Sequence, residues 1–483
     1  MAKETNLSGH SKDGKRLHPP FAKIKEMQLT SWKDIAMPEI LWAVLVRGNL
    51  ERNVALDFFR HVVSFAQHNP ECADVRLTEI AKLAPNQRTA LINHMAGWSP
   101  AVRQILQALL VFPNLPGRTE WAAILGEPNW ETAGPDLATA VKEVLWHQSE
   151  PATDCRWVNF LCFLQSGKMK FASSIPGIDD IVRGIYEYPN YGDVAHVQAF
   201  VRSGDLRHTI GDRDLEWVTH FWDECYRKTE CIPESAGQEF PYTQEEWDKR
   251  REHYGKETAR IRKSLISHCF NSSTTSAIDV RFETIFGLAL YSQTLLDEIS
   301  ILRLNFSVSG RLTLRAMVEA YITLAYLLKK DDPGTWGAYR EYGSGQAKLV
   351  HLKLKELGKI PSSINPKTVD RIANEDKWQE FVSINIGHWD DSNLRKNAEE
   401  SGLKDVYDQY YNWSSGYMHG NWAAVRETTY QSCYNPLHRL HRIPEFGLPM
   451  LPDVMEDAIE IGNKMLDLLD IAYPEYKDRI RSL

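Results

Sequence analysis

Apolar residues recur at spacings of three and four along most of the chain, and this periodicity constrains the fold more than any other feature. Near the start of the periodic part, it is carried by two groups: Ile40, Leu41, Val44 and Leu45, then Val54, Leu56, Phe58, Val62 and Val63. Residues at these spacings lie on one face of an α-helix. Convincing runs of alternating apolar and polar residues, which would indicate half-buried strands, are absent from the sequence. The sequence therefore predicts an all-α protein.

Changes in composition along the chain predict three parts. Residues 1–30 are rich in Lys, Ser, Gly and Pro and lack periodicity, which predicts a mobile basic tail. Residues 31–240 contain short helical segments separated by Pro, Gly and Asn. They predict an irregular N-terminal helical domain, with a helical repeat array as the alternative. Periodicity is lost between Thr229 and Thr243, and we expect a C-terminal helical bundle over residues 241–483.

The segment Val308–Lys330 is predicted to be the central helix of this bundle. It is apolar almost all round between Ala316 and Leu328, which is typical of a helix enclosed by its neighbours. Arg315 and Glu319 lie in this segment four residues apart and hence on one face. Buried charges persist only where partners and hydrogen bonds replace the lost water, so the pair either ties adjacent helices together or belongs to a site.

A second group of polar residues follows in the sequence YDQYYNWSSGYMHGNW. Tyr411, Ser415 and His419 recur there every four residues and would form one stripe along a helix. The following Gly-Asn pair predicts a helix stop, which places His419 at the C-terminal end. There the helix dipole favours the imidazolium form, although a histidine in this position often acts only as a cap. We expect the stripe to face the two charges of the central helix, because each polar group is the best partner available to the other.

Composition and charge exclude several classes of protein. Hydrophobic residues make up 43% and charged residues 25% of the chain, which excludes a disordered or collagen-like protein. The net charge of −8 confines any contact with nucleic acid to a local patch, for which the basic segment Lys249–Lys263 is the candidate. The N-terminus lacks the apolar core of a signal peptide, and no stretch reaches the roughly 18 apolar residues of a membrane span. We therefore expect a cytoplasmic protein without membrane contact.

The sequence predicts neither a metal site nor a cofactor. The cysteines are scattered and contain no C-x-x-C pair, which fits reduced core thiols better than a disulfide framework or a zinc site. These cysteines are Cys72, Cys155, Cys162, Cys225, Cys231, Cys269 and Cys433. The segment Gly343-Ser344-Gly345 lacks the Lys-Ser/Thr ending of a phosphate loop, which disfavours nucleotide binding.

The polar residues of the C-terminal half carry a resemblance to a known family. An R-x-x-x-E pair on an apolar helix is followed by Trp389, by NLRKNAEESGLKDVY and by Y-x-x-x-S-x-x-x-H-G. Over about residues 260–435, this combination resembles an uncharacterised prokaryotic family of domains of unknown function, which is similar in turn to the HEPN helical bundles. The resemblance implies a role in toxin or antiviral defence systems. It also implies RNA, a second copy of the chain or a partner defence protein as the interaction partner.

Two functions are compatible with that resemblance. In the first, the chain is a metal-independent ribonuclease, in which Arg315 would bind the scissile phosphate and Glu319 would hold Arg315 in place. His419 would act as general acid or base, while Tyr411 or Ser415 would orient the phosphate or the attacking 2′-hydroxyl. In the second, the bundle is a noncatalytic sensor or scaffold.

The R-x4-6-H motif of HEPN nucleases is missing at His419. The spacing occurs elsewhere about as often as chance predicts, at Arg88/His94, Arg202/His208, Arg213/His220 and Arg262/His268. Both functions therefore stay open at this point.

Overall fold

The structure is a computed structural model and describes residues 10–18, 31–128, 130–170, 178–191, 194–204, 216–234, 242–390, 392–445, 447 and 450–483. Helices form nearly all of the regular secondary structure of these residues, so the all-α prediction is confirmed. The strands among them have three residues each; β1 (Ser11–Asp13) pairs with β2 (Arg16–His18), and β3 (Tyr430–Ser432) pairs with β4 (Arg442–Pro444). In this described part of the chain, no helix has both the length and the apolar character that crossing a membrane requires.

The chain divides into two compact units. The first contains Met1–Ser235 and Ser432–Ile443, and the second contains Ala236–Gln431 and Pro444–Leu483. The first boundary between the units follows Ser235, which lies within the segment from Thr229 to Thr243 where the sequence loses its periodicity. The sequence did not indicate that residues 432–443 group with the N-terminal residues. Of the predicted tail, residues 10–18 form the β1–β2 hairpin, whereas residues 1–9 and 19–30 lie outside the described residues.

The first unit is an irregular assembly of short helices. They are α1 (Met37–Glu39), α2 (Leu41–Asn49), α3 (Arg52–His68), α4 (Leu77–Lys82), α5 (Pro85–Ala96), α6 (Pro100–Leu106), α7 (Arg118–Leu125), α8 (Trp130–Val144), α9 (Glu150–Gln165), α10 (Ile178–Tyr186), α11 (Val194–Gly204) and α12 (Glu216–Lys228). Helix α2 is enclosed by its neighbours, and its residues 41–46 are all buried. It packs against α8 and α9, which follow about a hundred residues later in the chain. In a repeat array each repeat contacts only its neighbours in sequence, so that alternative does not fit.

A buried carboxylate joins three elements of the first unit. Asp154 of α9 has no solvent-exposed side-chain surface, and its Oδ2 lies 2.8 Å from the Nε of Arg47 and 3.0 Å from the Nε of Arg52. The hydroxyl of Tyr188 donates a 2.7 Å hydrogen bond to its Oδ1. The two arginines also contact Glu150, which is about half exposed. The charge of Asp154 is thus compensated at every side-chain oxygen, as a buried ion requires.

The second unit is a bundle of longer helices. They are α13 (Gln244–Ser272), α14 (Val280–Ile301), α15 (Val308–Lys330), α16 (Pro333–Leu357), α17 (Pro366–Ala373), α18 (Leu394–Ser401), α19 (Lys404–Val406), α20 (Asn412–Met418), α21 (Trp422–Thr429) and α22 (Met455–Ala472). A π-helical turn, Tyr407–Tyr411, connects α19 to α20. Helix α15 packs against α14, α18, α20 and α22, so the predicted central helix is confirmed.

Local capping interactions fix where the long helices begin. Thr243 and Glu246 form a capping box at the start of α13, each side chain accepting from the backbone of the other residue. The hydroxyl of Ser307 accepts a 3.1 Å hydrogen bond from the amide of Gly310 at the start of α15. Asp332 caps α16 in the same way. These caps satisfy amides that have no partner within the helix.

Gly310 lies where α15 approaches the preceding turn most closely. A Cβ at this position would lie 2.1 Å from the carbonyl oxygen of Leu304 and 2.9 Å from its carbonyl carbon. Because both atoms belong to the backbone, no side-chain rotation can relieve the overlap. We expect Gly310→Ala to lower the free energy of unfolding by about 1–3 kcal/mol, the usual cost of overpacking, in denaturant titrations.

Gly255 in α13 provides the control for this substitution. A Cβ there meets no atom within 4 Å, so Gly255→Ala should be neutral or stabilising by up to about 1 kcal/mol. Equal effects of the two substitutions would show that Gly310 is not a close-contact position.

Candidate functional site

Three of the five predicted site residues form one contact network. Nη2 of Arg315 donates a hydrogen bond to the hydroxyl of Tyr411, and the guanidinium carbon lies 4.4 Å from the centroid of the Tyr411 ring. Nη1 of Arg315 lies 3.4 Å from Oε2 of Glu319. The Arg315 side chain is only 14% exposed, whereas that of Glu319 is 45% exposed. Arg315 therefore joins α15 to the π-helical turn and holds a carboxylate that reaches solvent.

The other two predicted residues lie outside this network. His419 caps the C-terminal end of α20, as predicted, and its amide donates a 3.2 Å hydrogen bond to the carbonyl of Ser415. The Ser415 side chain is half-buried and the imidazole of His419 is exposed. Among the residues that the structure describes, no hydrogen bond or ion pair connects either side chain to Arg315.

A groove opens next to Glu319, between α14, α15 and α16. Its volume is about 680 Å³, and Glu319 forms part of its lining. Four large aromatic side chains also belong to the lining: Tyr291, Tyr339, Tyr342 and Trp389. Volumes of several hundred Å³ with a few converging polar groups are typical of sites for small molecules. The groove is therefore the candidate binding site of the second unit.

One wall of the groove is held by an imidazole–carboxylate pair. Nδ1 of His388 lies 2.7 Å from Oδ1 of Asp390, which also accepts hydrogen bonds from the amide and the hydroxyl of Ser392. Burial opposes ionisation of Asp390, but the hydrogen bonds from Ser392 and His388 outweigh it and lower the pKa of this carboxyl group. Trp389, which lies between His388 and Asp390 in the sequence, is buried. Its ring lies 5.5 Å from that of Tyr339 and 5.8 Å from that of Tyr326.

The electrostatic character of the groove is acidic. Arg340 is in the lining, but its guanidinium contacts Asp376, at 2.6 and 2.9 Å, and Glu283. Hydrogen bonds to Asp376 and Glu283 raise the pKa of Arg340, and the two carboxylates neutralise its charge. Burial is the main cause that raises the pKa of Tyr339, and the nearby Tyr291 and Glu319 raise it further. The groove therefore disfavours additional negative charge.

One known family matches this part of the chain. A family of unknown function (DUF5677) matches residues 282–431. The matched segment contains every residue of the groove lining as well as Arg315, Glu319, Tyr411, Ser415 and His419. Neither a search of curated proteins nor a search of solved structures gives a match. The predicted domain of unknown function in the C-terminal half is thus confirmed over the DUF5677 segment.

The basic segment predicted to approach nucleic acid is mostly neutralised by nearby acids. Lys256 lies 2.5 Å from Glu252, and Arg262 lies 2.6 Å from Asp297. Arg260 contacts two carboxylates, at 2.9 and 2.8 Å. Four of the seven basic side chains of this segment, Arg250, Lys256, Arg260 and Arg262, are therefore in ion pairs with acids. Of the four R-x4-6-H pairs, His208 and Arg213 lie outside the described residues.

Sequence reasoning missed two groups of residues that the structure brings together. The groove residues come from three helices and from the loop before α18, and the exposed Tyr291 on α14 was the available signal. The second group is a cluster of two cysteines and two histidines in the first unit: Cys231, Cys433, His438 and His441. The spacing C-x4-H-x2-H in the loop before β4 was a signal for this cluster, but the remaining cysteine lies about two hundred residues away.

Proposed function

We propose that the DUF5677 segment is a noncatalytic helical module that senses an organic cation by binding it in the groove between α14, α15 and α16. The observation that carries this proposal is the carboxylate of Glu319, which stays 45% exposed beside Arg315, in a groove with four aromatic side chains whose own arginine, Arg340, contacts two carboxylates. A noncatalytic sensor or scaffold is the second of the two functions that the sequence leaves open, and the organic cation as ligand is inferred from the groove.

The chemistry of the lining supports a cationic ligand. Tyrosine and tryptophan faces attract an ammonium group by about 0.5–2 kcal/mol each, more when the contact is desolvated. A carboxylate about 4 Å from the ammonium group adds a Coulomb attraction of about 1–4 kcal/mol, depending on how much water surrounds the pair. A phosphate-bearing ligand would instead meet Glu319 and the electron-rich faces of Tyr291, Tyr339 and Trp389. Groove size, aromatic content and charge therefore favour a substituted ammonium compound.

Neutralising Glu319 is expected to weaken cation binding. For Glu319→Gln, we expect the affinity for benzyltrimethylammonium, measured by isothermal titration calorimetry, to fall about 10- to 100-fold, because the substitution removes the Coulomb attraction between the carboxylate and the ammonium group. Glu298→Gln is the matched control, because Glu298 is exposed on the same bundle and does not line the groove. Equal affinities of the wild type and Glu319→Gln, or tighter binding of adenosine monophosphate than of the cation, would contradict the proposal.

One observation favours the ribonuclease as a second candidate function. Trp413 and Trp422 flank the exposed His419 in sequence and are themselves exposed, at 57% and 64%. Exposed aromatic rings can stack unpaired bases, each contributing about 1–3 kcal/mol. As a HEPN-like nuclease, the bundle would use His419 for proton transfer, with Arg315 and Glu319 positioning Tyr411 and with Ser415 as a hydrogen-bond donor. The active unit would then be expected to be a homodimer.

A cleavage assay distinguishes the two candidates. If the chain is a ribonuclease, His419→Ala should lower cleavage of total and transfer RNA by about 100- to 10,000-fold and relieve growth arrest on expression. Arg315→Ala should have an effect in the same direction, whereas His351→Ala, on α16, should have none. Equal cleavage by the wild type and both site variants, or no cleavage by any of them, would contradict the ribonuclease function and favour the noncatalytic cation-binding module.

A further inference from the structure

Four side chains that bind metals well converge in the first unit. Cys231 follows α12, whereas Cys433, His438 and His441 lie in the loop between β3 and β4. Each offers one ligand atom, and these four atoms all lie within 4.8 Å of one another. We propose that they bind a structural Zn²⁺ ion as a Cys2His2 site. The proposal is independent of the function proposed for the second unit.

The spacing of the ligand atoms fits tetrahedral zinc. Sγ of Cys231 lies 3.5 Å from Nδ1 of His438 and 3.3 Å from Nε2 of His441. Sγ of Cys433 lies 3.5 Å from the same Nδ1 of His438. Zinc–sulfur bonds of about 2.3 Å and zinc–nitrogen bonds of about 2.0–2.1 Å at tetrahedral angles place sulfur and nitrogen about 3.5 Å apart. The observed separations therefore match the edges of a zinc coordination tetrahedron.

Hydrogen bonds around His438 leave the correct nitrogen free to bind a metal. The hydroxyl of Thr229 donates its proton to the carbonyl of Cys225, at 2.7 Å. It can therefore only accept from Nε2 of His438, which lies 3.0 Å away. Nε2 must then carry the proton, and Nδ1 presents its lone pair toward both sulfurs. A second partner that fixes the tautomer of a ligating histidine is a regular feature of zinc sites.

The backbone around the cluster also fits a metal centre. The amide of Ile232 donates a 3.4 Å hydrogen bond to Sγ of Cys433, which stabilises a thiolate. Arg439 and Leu440, between the two histidines, both have left-handed backbone conformations, with φ of 56° and 55°. Such residues are strained and persist where surrounding interactions determine the loop conformation. Metal coordination by the histidines on either side would provide this constraint.

Ligand type and number select the metal and its role. Two thiolates and two neutral imidazoles in a tetrahedral arrangement are typical of zinc. The two negative charges of the thiolates cancel the charge of Zn²⁺. All four positions are filled by protein, which is typical of a structural rather than a catalytic site. A disulfide between the cysteines would account for the sulfurs but not for the two histidines beside them. The zinc would fasten the loop containing residues 433–441 to the end of α12.

Metal content and cobalt spectroscopy test this proposal. We expect the full-length protein, purified without chelators, to contain one zinc per chain by elemental analysis. Replacing zinc by Co²⁺ should give the visible absorption of tetrahedral cobalt with thiolate ligands. Cys433→Ser should lose both signals, while the matched control Cys269→Ser, whose thiol lies in the second unit, should keep both.

A substitution in the supporting contact separates zinc binding from folding. Thr229→Val removes the partner of His438 without removing a ligand, and we expect zinc affinity to fall about 10- to 100-fold in competition with a chromophoric chelator. Less than about one-tenth of a zinc per chain together with no cobalt spectrum in the wild type would overturn the proposal. An intact mass lower by two hydrogens, with peptide mapping to a Cys231–Cys433 disulfide, would also overturn it.

Discussion

Asp154→Ala is expected to lower the free energy of unfolding by about 3 kcal/mol. Breaking a buried ion pair from one side usually costs about 3–5 kcal/mol, because the remaining charges lose their partner. Here the remaining charges are those of Arg47 and Arg52, which also contact Glu150 and can share it after the substitution. We therefore expect the lower end of that range. Because a domain is stable by about 5–15 kcal/mol, such a loss is readily measured in denaturant titrations.

The matched control for Asp154→Ala is a second Asp–Arg pair in the same unit. Asp57 contacts Arg60 at 2.8 Å, the same distance as Asp154 to Arg47, but its side chain is 61% exposed. Exposed pairs contribute about 0–1 kcal/mol, so Asp57→Ala should change stability by less than about 1 kcal/mol. Similar losses for the two alanine variants would show that burial of Asp154 does not determine its contribution.

Trp389→Ala is expected to destabilise the second unit by about 3–5 kcal/mol and to abolish cation binding in the groove. The indole is buried and packs edge-on against Tyr326 and Tyr339, so its removal leaves a cavity as well as a gap in the groove wall. Trp389→Phe keeps an aromatic ring and should retain most of the stability and a measurable affinity. For both variants, stability is measured by denaturant titration and cation affinity by calorimetry with benzyltrimethylammonium.

Trp378 provides the control for the large substitution at Trp389. It is 74% exposed, and loss of an exposed side chain away from a special contact usually changes stability by about 0.5 kcal/mol or less. Trp378→Ala should therefore leave both the stability and the cation affinity close to those of the wild type. A stable Trp389→Ala variant that still binds the cation would contradict the assignment of Trp389 to the groove wall.

The long helices could be predicted from the sequence because their periodicity and caps are local. Helix α15 has the predicted bounds. Helix α17 ends at Ala373. There the side chain and the amide of Asn374 both donate to the carbonyl of Asp370, at 2.9 and 3.1 Å, and so cap the C-terminal end of the helix. The three-residue strands are too short for a period of two to be visible.

The candidate site was predictable only where polar groups lie on a buried helix. Arg315 and Tyr411 could be paired from sequence because a charge on a buried helix needs a partner. The groove depends on how α14 and α16 pack against α15 and on how the loop that contains Trp389 packs beside them, which periodicity does not specify. The cysteine–histidine cluster was missed for a similar reason, since Cys231 and Cys433 meet only when the chain returns to the first unit.

The position of a bound cation tests the proposed function most directly. Crystals of the full-length protein grown with (4-bromobenzyl)trimethylammonium would locate the bromine by its anomalous scattering. We expect one peak in the groove, with the ammonium group near the carboxylate of Glu319 and the ring against the aromatic side chains of the lining. A bromine bound only outside the groove, or no bound bromine at a saturating concentration, would contradict the proposal.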